Sequence, residues 1–204
     1  MPTLEHECRL RAAGHRIVAG VDEAGRGPLA GPVVAAAVVL PEDFFHPVLN
    51  DSKQLSEKQR EKIYAELTSD PRLTFCSAVA TVEEIEQLNI LRASHLAMER
   101  AVRGLSLPPD ICLIDGLPVP RFPWLHEGLV GGDALSFSIA AASIIAKVER
   151  DRFMRAAHEE FPQYGFASHK GYGTALHLER IQTHGPCPLH RRTFQPIAQL
   201  TLNL

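Results

Sequence analysis

The chain has 204 residues and a mass of 22.5 kDa, with 45% hydrophobic and 22% charged residues, which fits one domain over residues 1–204 that buries roughly 70% of its unfolded surface without disulfides or a structural metal. Membrane and secreted classes are excluded: no apolar run approaches the roughly 18 residues of a span, Glu5, His6, Glu7 and Arg9 stand where a leader would be apolar, and four scattered cysteines form no C-x-x-C pair. A cytoplasmic protein is expected, and its formal net charge of −3 is uneven, because Lys170, Arg180, Arg191 and Arg192 face Glu179 alone after residue 164, a local +3 that leaves −6 for residues 1–164.

Ile17–Val21 and Val33–Leu40 read as strands buried on both faces and paired as a hairpin. Ser56 and Gln59 form a capping box that opens a helix through about Leu67. Leu73–Val82 reads as a third strand. Asn89 caps a helix whose apolar positions are Leu91, Met98, Val102 and Leu105, closed near Gly104. Ile111–Ile114 is a short buried strand that ends at Asp115. A proline-rich connection then leads through Gly131 and Gly132 to Asp133 and an alanine-rich helical stretch reaching about Phe161. Thr174–Thr183 is a last helix, stopped by Gly185 and Pro186. The alternation predicts an α/β domain with a central mixed sheet flanked by helices and a C-terminal helical segment.

Asp22 and Glu23 end an apolar strand, where buried charge needs a cationic partner. Asp115 ends another, and Asp133 follows two glycines where a helix begins. Carboxylates converging at strand ends suit hard cations such as magnesium or manganese. Adjacent strand residues point to opposite faces, so Asp22 and Glu23 share one ion only if the strand breaks there, and the Ala24–Gly27 turn is the expected break. Gly25, Arg26 and Gly27 bring bare backbone and one guanidinium close to a sugar hydroxyl or a phosphate. A dinucleotide fingerprint is rejected, since Pro32 and the run from Val33 follow in place of a helix.

In order along the chain, Asp22-Glu23-Ala24-Gly25-Arg26-Gly27-Pro28, Asp51-Ser52-Lys53, Ile114-Asp115-Gly116, Asp133, Ala140-Ala141-Ala142-Ser143, Ala146-Lys147-Val148 with Arg150-Asp151, and His169-Lys170-Gly171-Tyr172-Gly173-Thr174 resemble the ribonuclease HII family. The resemblance implies a ribonuclease H-like fold with Asp22, Glu23, Asp115 and Asp133 as the catalytic acidic cluster, Asp22, Glu23 and Asp115 as ligands of Mn2+ or Mg2+, and Lys53 on phosphate. It further implies that the Gly25-Arg26-Gly27 backbone and Tyr172 sense the ribose 2′-hydroxyl. The implied substrates are RNA/DNA hybrids and duplex DNA carrying single ribonucleotides, cut on the 5′ side to leave 5′-phosphate and 3′-hydroxyl ends in replication and repair. One departure is Gly131, where the family usually carries a lysine two positions before the last aspartate. With about twenty residues ahead of Asp22, the related ribonuclease HIII, with its extra N-terminal domain, is not expected. The competing class is a nucleic-acid-binding protein that kept the fold and lost cleavage.

His177, His184, Cys187 and His190 are read as surface and packing residues, because their spacing and the prolines between them suit zinc poorly. Arg191 and Arg192 are read as a nucleic-acid path or a solvated tail. Lys147 is left open between support for the acidic cluster and a helix surface. A monomer is expected.

Overall fold

The computed structural model describes residues 1–201, so residues 202–204 of the expected domain lie outside the described residues. In chain order its elements are α1 (Glu5–Ala12), β1 (Val18–Ala24), β2 (Val33–Val39), α2 (Glu57–Ser69), β3 (Thr74–Ala80), α3 (Val82–Leu88), α4 (Ile90–Arg103), β4 (Ile111–Asp115), β5 (His126–Leu129), α5 (Phe137–Glu160), α6 (Phe166–His169), α7 (Ala175–His184) and α8 (Ile197–Thr201). The sheet order is β3-β2-β1-β4-β5. β1 and β2 form the expected antiparallel hairpin, β3 extends it antiparallel, and β4 and β5 add in parallel. The mixed sheet and flanking helices are those the alternation predicts.

Period-two alternation divides the sheet between two apolar layers. Ala19, Val21, Ala35, Ala37, Cys112 and Ile114 pack with Ala97, Met98 and Val102 of α4. On the other face Ala36 and Val38 pack with Ala140–Ala142 and Ile144–Ala146 of α5, and Val18, Ile111 and Leu113 meet Ile139. Small residues let α5 lie directly on β1: a Cβ on Gly20 would stand 2.2 Å from the Ser138 carbonyl carbon. Ser136 caps α5 by accepting the Ile139 N–H. The helix therefore starts after Asp133, which sits in a 3-10 turn over Gly132–Ala134.

Several boundaries differ from expectation. The third strand stops at Ala80, because Thr81 and Glu84 form a capping box that opens α3. Asn89 then ends α3 at φ 72° and caps α4 by accepting the Arg92 N–H. Leu91 is 48% exposed; the buried face of α4 joins the expected Met98 and Val102 to Ala93, Ala97 and Ala101, small residues that the spacing of large apolar ones overlooks. α1 and β5 were not expected. α1 is mostly polar and buries only Glu7 and Leu10, and β5 is a four-residue edge strand of half-buried positions, so neither carries a hydrophobic period.

Candidate active site

β1 and β4 run parallel, and their pairing covers Val18–Val21 against Ile111–Ile114, one residue short of Asp22 and Asp115. Both aspartates thus emerge at the C-terminal ends of adjacent parallel strands, next to the antiparallel β2, where an open α/β sheet leaves a crevice. The strand does not break at Asp22: β1 stays paired with β2 through Ala24. Alternation consequently puts Asp22 on the α5 face with Gly20 and Ala24, and Glu23 on the α4 face with Ala19 and Val21. By the same rule Asp115 follows Ile111 and Leu113 onto the α5 face.

Asp133 arrives from the turn before α5. Asp115 Oδ1 accepts the Gly132 N–H at 2.8 Å, which draws that turn over the end of β4. Carboxylate oxygens of Asp22, Asp115 and Asp133 then all lie within 4.8 Å of one another. Glu23, expected as a metal ligand, stands beside this group and pairs with the Arg26 guanidinium at 3.1 Å. Asp133, expected in the acidic cluster but not named among the ligands, takes the third place.

Asp22 is 5% exposed, and burial, followed by the charges of Glu23 and Asp115, holds its carboxyl well above the usual range. Burial raises Asp133 as well, with Asp115 adding to it. Glu23 is raised by burial, against which Arg26 pulls down. Lys53 Nζ lies 3.6 Å from Asp133 Oδ2; burial opposes its charge, but Asp133, Asp51, Asp22 and Asp115 outweigh that and raise it. Anionic oxygens that resist ionisation together mark a place that favours a cation. All-oxygen donors suit a hard divalent ion.

Asp22, Glu23, Asp115 and Lys53 open into a hollow of about 350 Å³ that also takes in Gly25, Gly27, Lys147 and Tyr172. Gly25 has φ 103°, and a Cβ there would meet Arg150 Nε at 2.1 Å, so this turn requires glycine. Tyr172, 45% exposed, stands over Gly27. Lys147 is resolved by the structure: it lines the hollow and binds both oxygens of Asp151 at 2.5 and 2.7 Å. A larger hollow of about 570 Å³ between α4 and residues 119–122 offers Glu99 as its single carboxylate and no converging group.

Some contributors were not singled out from sequence. Ser143 bonds to Asp22 and donates to Ser52 Oγ at 2.9 Å, tying α5 to the turn that carries Lys53. The reading of Arg191 as path or tail is corrected, because its side chain is fully buried and bonds to loop carbonyls. Arg192 is exposed and its N–H donates to Glu86. With Lys170 buried too, the local +3 of the C-terminal stretch is not a cationic surface. His177, Cys187 and His190 are buried packing residues as expected, while His184 is exposed.

A family model described as Ribonuclease HII matches residues 19–197. The chain is 57% identical over 183 residues to "Ribonuclease HII 1" of Methylibium petroleiphilum, covering 89% of this chain and 91% of that one. It is 53% identical over 188 residues to "Ribonuclease HII" of Idiomarina loihiensis, covering 92% and 100%. Among solved structures, the ribonuclease H2 of Pyrococcus horikoshii OT3 superposes with a TM-score of 0.76 at 27% identity over 92% of this chain and 98% of its own. The sheet and its flanking helices therefore have the ribonuclease H-like α/β fold.

Proposed function

Because the chain belongs to the ribonuclease HII family, whose members are ribonuclease H endonucleases, we propose that it hydrolyses the RNA strand of RNA/DNA hybrids and cuts 5′ to single ribonucleotides in duplex DNA, leaving 5′-phosphate and 3′-hydroxyl ends. The observation that carries this reading is the convergence of Asp22, Asp115 and Asp133, with Asp22 and Asp115 lining one hollow with the glycine turn and Tyr172. It acts as a monomeric single-domain enzyme in the cytoplasm; no helix of the described residues is long and apolar enough to cross a membrane.

Asp22, Asp115 and Asp133 would hold Mn2+ or Mg2+, since their oxygens are close and Asp22 and Asp133 are buried. Such an ion, when bound, lowers the pKa of an attacking water and offsets charge developing on the phosphate. The chain's own groups bind and orient the strand. Lys53, with its side chain 79% exposed, reaches out to a backbone phosphate. Arg26 is shared between Glu23 and solvent, so a phosphate that engages it competes with Glu23 for the guanidinium. Gly25–Gly27 present main-chain groups to the sugar, and the Tyr172 ring packs against it, which rewards a ribose hydroxyl that DNA lacks. Lys147, held by Asp151, adds a second cation to the hollow's α5 wall.

The test is cleavage of a labelled DNA duplex holding one ribonucleotide, with Mg2+ or Mn2+, by the native chain and by Asp22→Asn, against an all-DNA control. The expected result is a cut on the 5′ side that is lost in Asp22→Asn and absent from all-DNA. Metal-independent binding without any cut would replace this reading with that of a nucleic-acid-binding protein.

A further inference from the structure

The turn from Gly25 to Pro32 is gripped from below by two buried guanidinium groups. Arg191 follows α7 and is 0% exposed. It donates through Nε to the Gly31 carbonyl at 2.9 Å, through Nη1 to those of Arg26 and Pro28 at 3.0 and 2.8 Å, and through Nη2 to that of Gly25 at 2.5 Å. Its backbone N–H donates to the Leu29 carbonyl at 2.9 Å. Arg150 of α5 donates to the carbonyls of Pro32 and Ala30, both at 3.0 Å, and to that of Lys170 at 3.1 Å. Every carbonyl of the turn except that of Gly27 is thus turned inward onto one of these two residues.

A trans peptide holds its N–H opposite its C=O. Pulling the Gly25 and Arg26 carbonyls inward therefore turns the N–H groups of Arg26 and Gly27 outward, toward the hollow these residues line. Of the later N–H groups, Leu29 donates to the Gly171 carbonyl and Gly31 to that of Leu189, both at 2.8 Å, and Pro28 and Pro32 have none. Neither guanidinium has a carboxylate partner within ion-pair distance among the described residues. A buried cation without one is a costly way to hold a turn that apolar side chains could pack. Apolar side chains, however, cannot orient peptide planes.

We propose that Arg191 and Arg150 are positioning residues for ribose recognition: by drawing the turn's carbonyls inward they aim the Arg26 and Gly27 N–H groups at the sugar, so the site offers donors, not acceptors, to the 2′-oxygen. The inference rests on the reading of Gly25–Gly27 and Tyr172 as the ribose-sensing surface. Arg150 sets both halves of that surface at once, because its third bond fixes Lys170, two residues before Tyr172. Ribose selectivity is thereby controlled from α5 and the C-terminal segment, remote in sequence from the turn.

The experiment compares native chain, Arg191→Lys, Arg150→Lys and Ile181→Ala. Ile181 is equally buried in the C-terminal segment and, as an apolar side chain, makes none of the hydrogen bonds that orient the turn, so it reports plain destabilisation. For each variant, kcat and KM are measured on a duplex with one ribonucleotide, Kd on that duplex without divalent ions and on the same duplex in all-DNA form, and the unfolding temperature. A lysine keeps the charge but cannot span several carbonyls, so each Arg→Lys change is expected to lower kcat/KM roughly 10- to 100-fold with all-DNA binding unchanged. Ile181→Ala, with a comparable loss of unfolding temperature, is expected to keep kcat/KM. Should Arg191→Lys not fold, Arg191→Ala assayed with millimolar guanidinium chloride supplies the second reading: recovery there and none in Ile181→Ala supports positioning. Equal losses in Arg191→Lys and Ile181→Ala, or weaker all-DNA binding in step with kcat/KM, would overturn it. A native chain that binds ribonucleotide and all-DNA duplexes equally would overturn the ribose reading itself, whereas a native preference that survives both Arg→Lys changes defeats the positioning role alone.

Discussion

Asp22 is the residue at which stability and chemistry oppose each other. Its carboxyl is buried, faces Asp115 and is pushed well up in pKa by both circumstances. Without a cation, ionising it at neutral pH weakens the fold. Asp22→Asn keeps the shape and the Ser143 contact while removing the charge, so it should abolish cleavage and yet raise the unfolding temperature of the metal-free protein. A gain of about 1 kcal/mol corresponds to roughly 2–4 °C for a chain of this size. Calorimetry without divalent ions checks this, and an unchanged or lower transition would count against a repulsive cluster. Adding Mn2+ or Mg2+ should reverse the order. An ion at 100 times its Kd stabilises by about 2.7 kcal/mol, and that shift should appear in the native chain and shrink in Asp22→Asn. Asp22, Glu23 and Asp115 were legible in sequence because charge at the end of an apolar strand is costly and conspicuous, and Asp133 because it follows two glycines at a helix start. Which three converge was not, because that depends on the face each residue takes, and the register of β1 against β2 and β4 decides it. Arg191 was illegible for a related reason: a guanidinium that bonds to carbonyls looks, in one dimension, like any surface arginine.

At the scale of elements, the site depends on how closely α5 approaches β1. Gly20 is the point of contact, with Ser138 and Ile139 backbone where its Cβ would be. Ser143, one and a half turns further along α5, reaches Asp22 from the same approach. Gly20→Ala should therefore push α5 away, destabilise the chain by about 1–3 kcal/mol, and depress cleavage by more than its stability loss explains, since Asp22 loses its α5 neighbour. Denaturant unfolding and kcat on one preparation test this; normal stability would mean that α5 yields without cost. The elements themselves were legible where a period, a cap or a stop announced them: the apolar runs of β1, β2 and β4, the Ser56 box, the Asn89 cap, and Gly185 with Pro186 after the last expected helix. The Thr81–Glu84 box of α3 was present in the sequence but lay inside an apolar run that reads as strand. Polar α1 is held by Glu7, whose Oε1 accepts from Ser136 and Ser138 at the start of α5. That is a tertiary contact, with no local signal.

For the whole molecule, the C-terminal segment closes on the Gly25–Pro32 turn through Arg191 and packs two buried imidazoles behind it. His177 Nδ1 bonds to the Tyr172 carbonyl at 2.9 Å and its Nε2 to His190 Nε2 at 3.1 Å, while His190 Nδ1 accepts the Cys187 N–H at 2.9 Å. Burial, with mutual repulsion adding to it for His190, pushes both imidazoles from 6.5 down to about 4. A folded-state pKa below the unfolded one means the unfolded chain takes up protons first. The stability these rings contribute is therefore complete above about pH 6.5 and is lost as pH falls toward 4, on the order of 3 kcal/mol for each ring that must charge on unfolding. The raised carboxyls of Asp22, Glu23 and Asp133 act in the opposite sense, since the native state protonates first and gains stability as pH falls through their range. The two effects separate by difference: subtracting the pH profile of a His177→Gln, His190→Gln double variant from that of the native chain leaves the histidine contribution alone. Urea midpoints from pH 7.5 to 4.5 should give a difference that is flat above pH 6.5 and declines below it. Because His177 holds the Tyr172 carbonyl and His190 adjoins Arg191, the protection factors for hydrogen exchange at Gly171–Thr174, taken against the unstructured rate at each pH, should fall over the same interval, before the sheet opens. A difference profile level across the whole range would show that the rings charge in place, and that the segment over the active site is not locked by their neutrality.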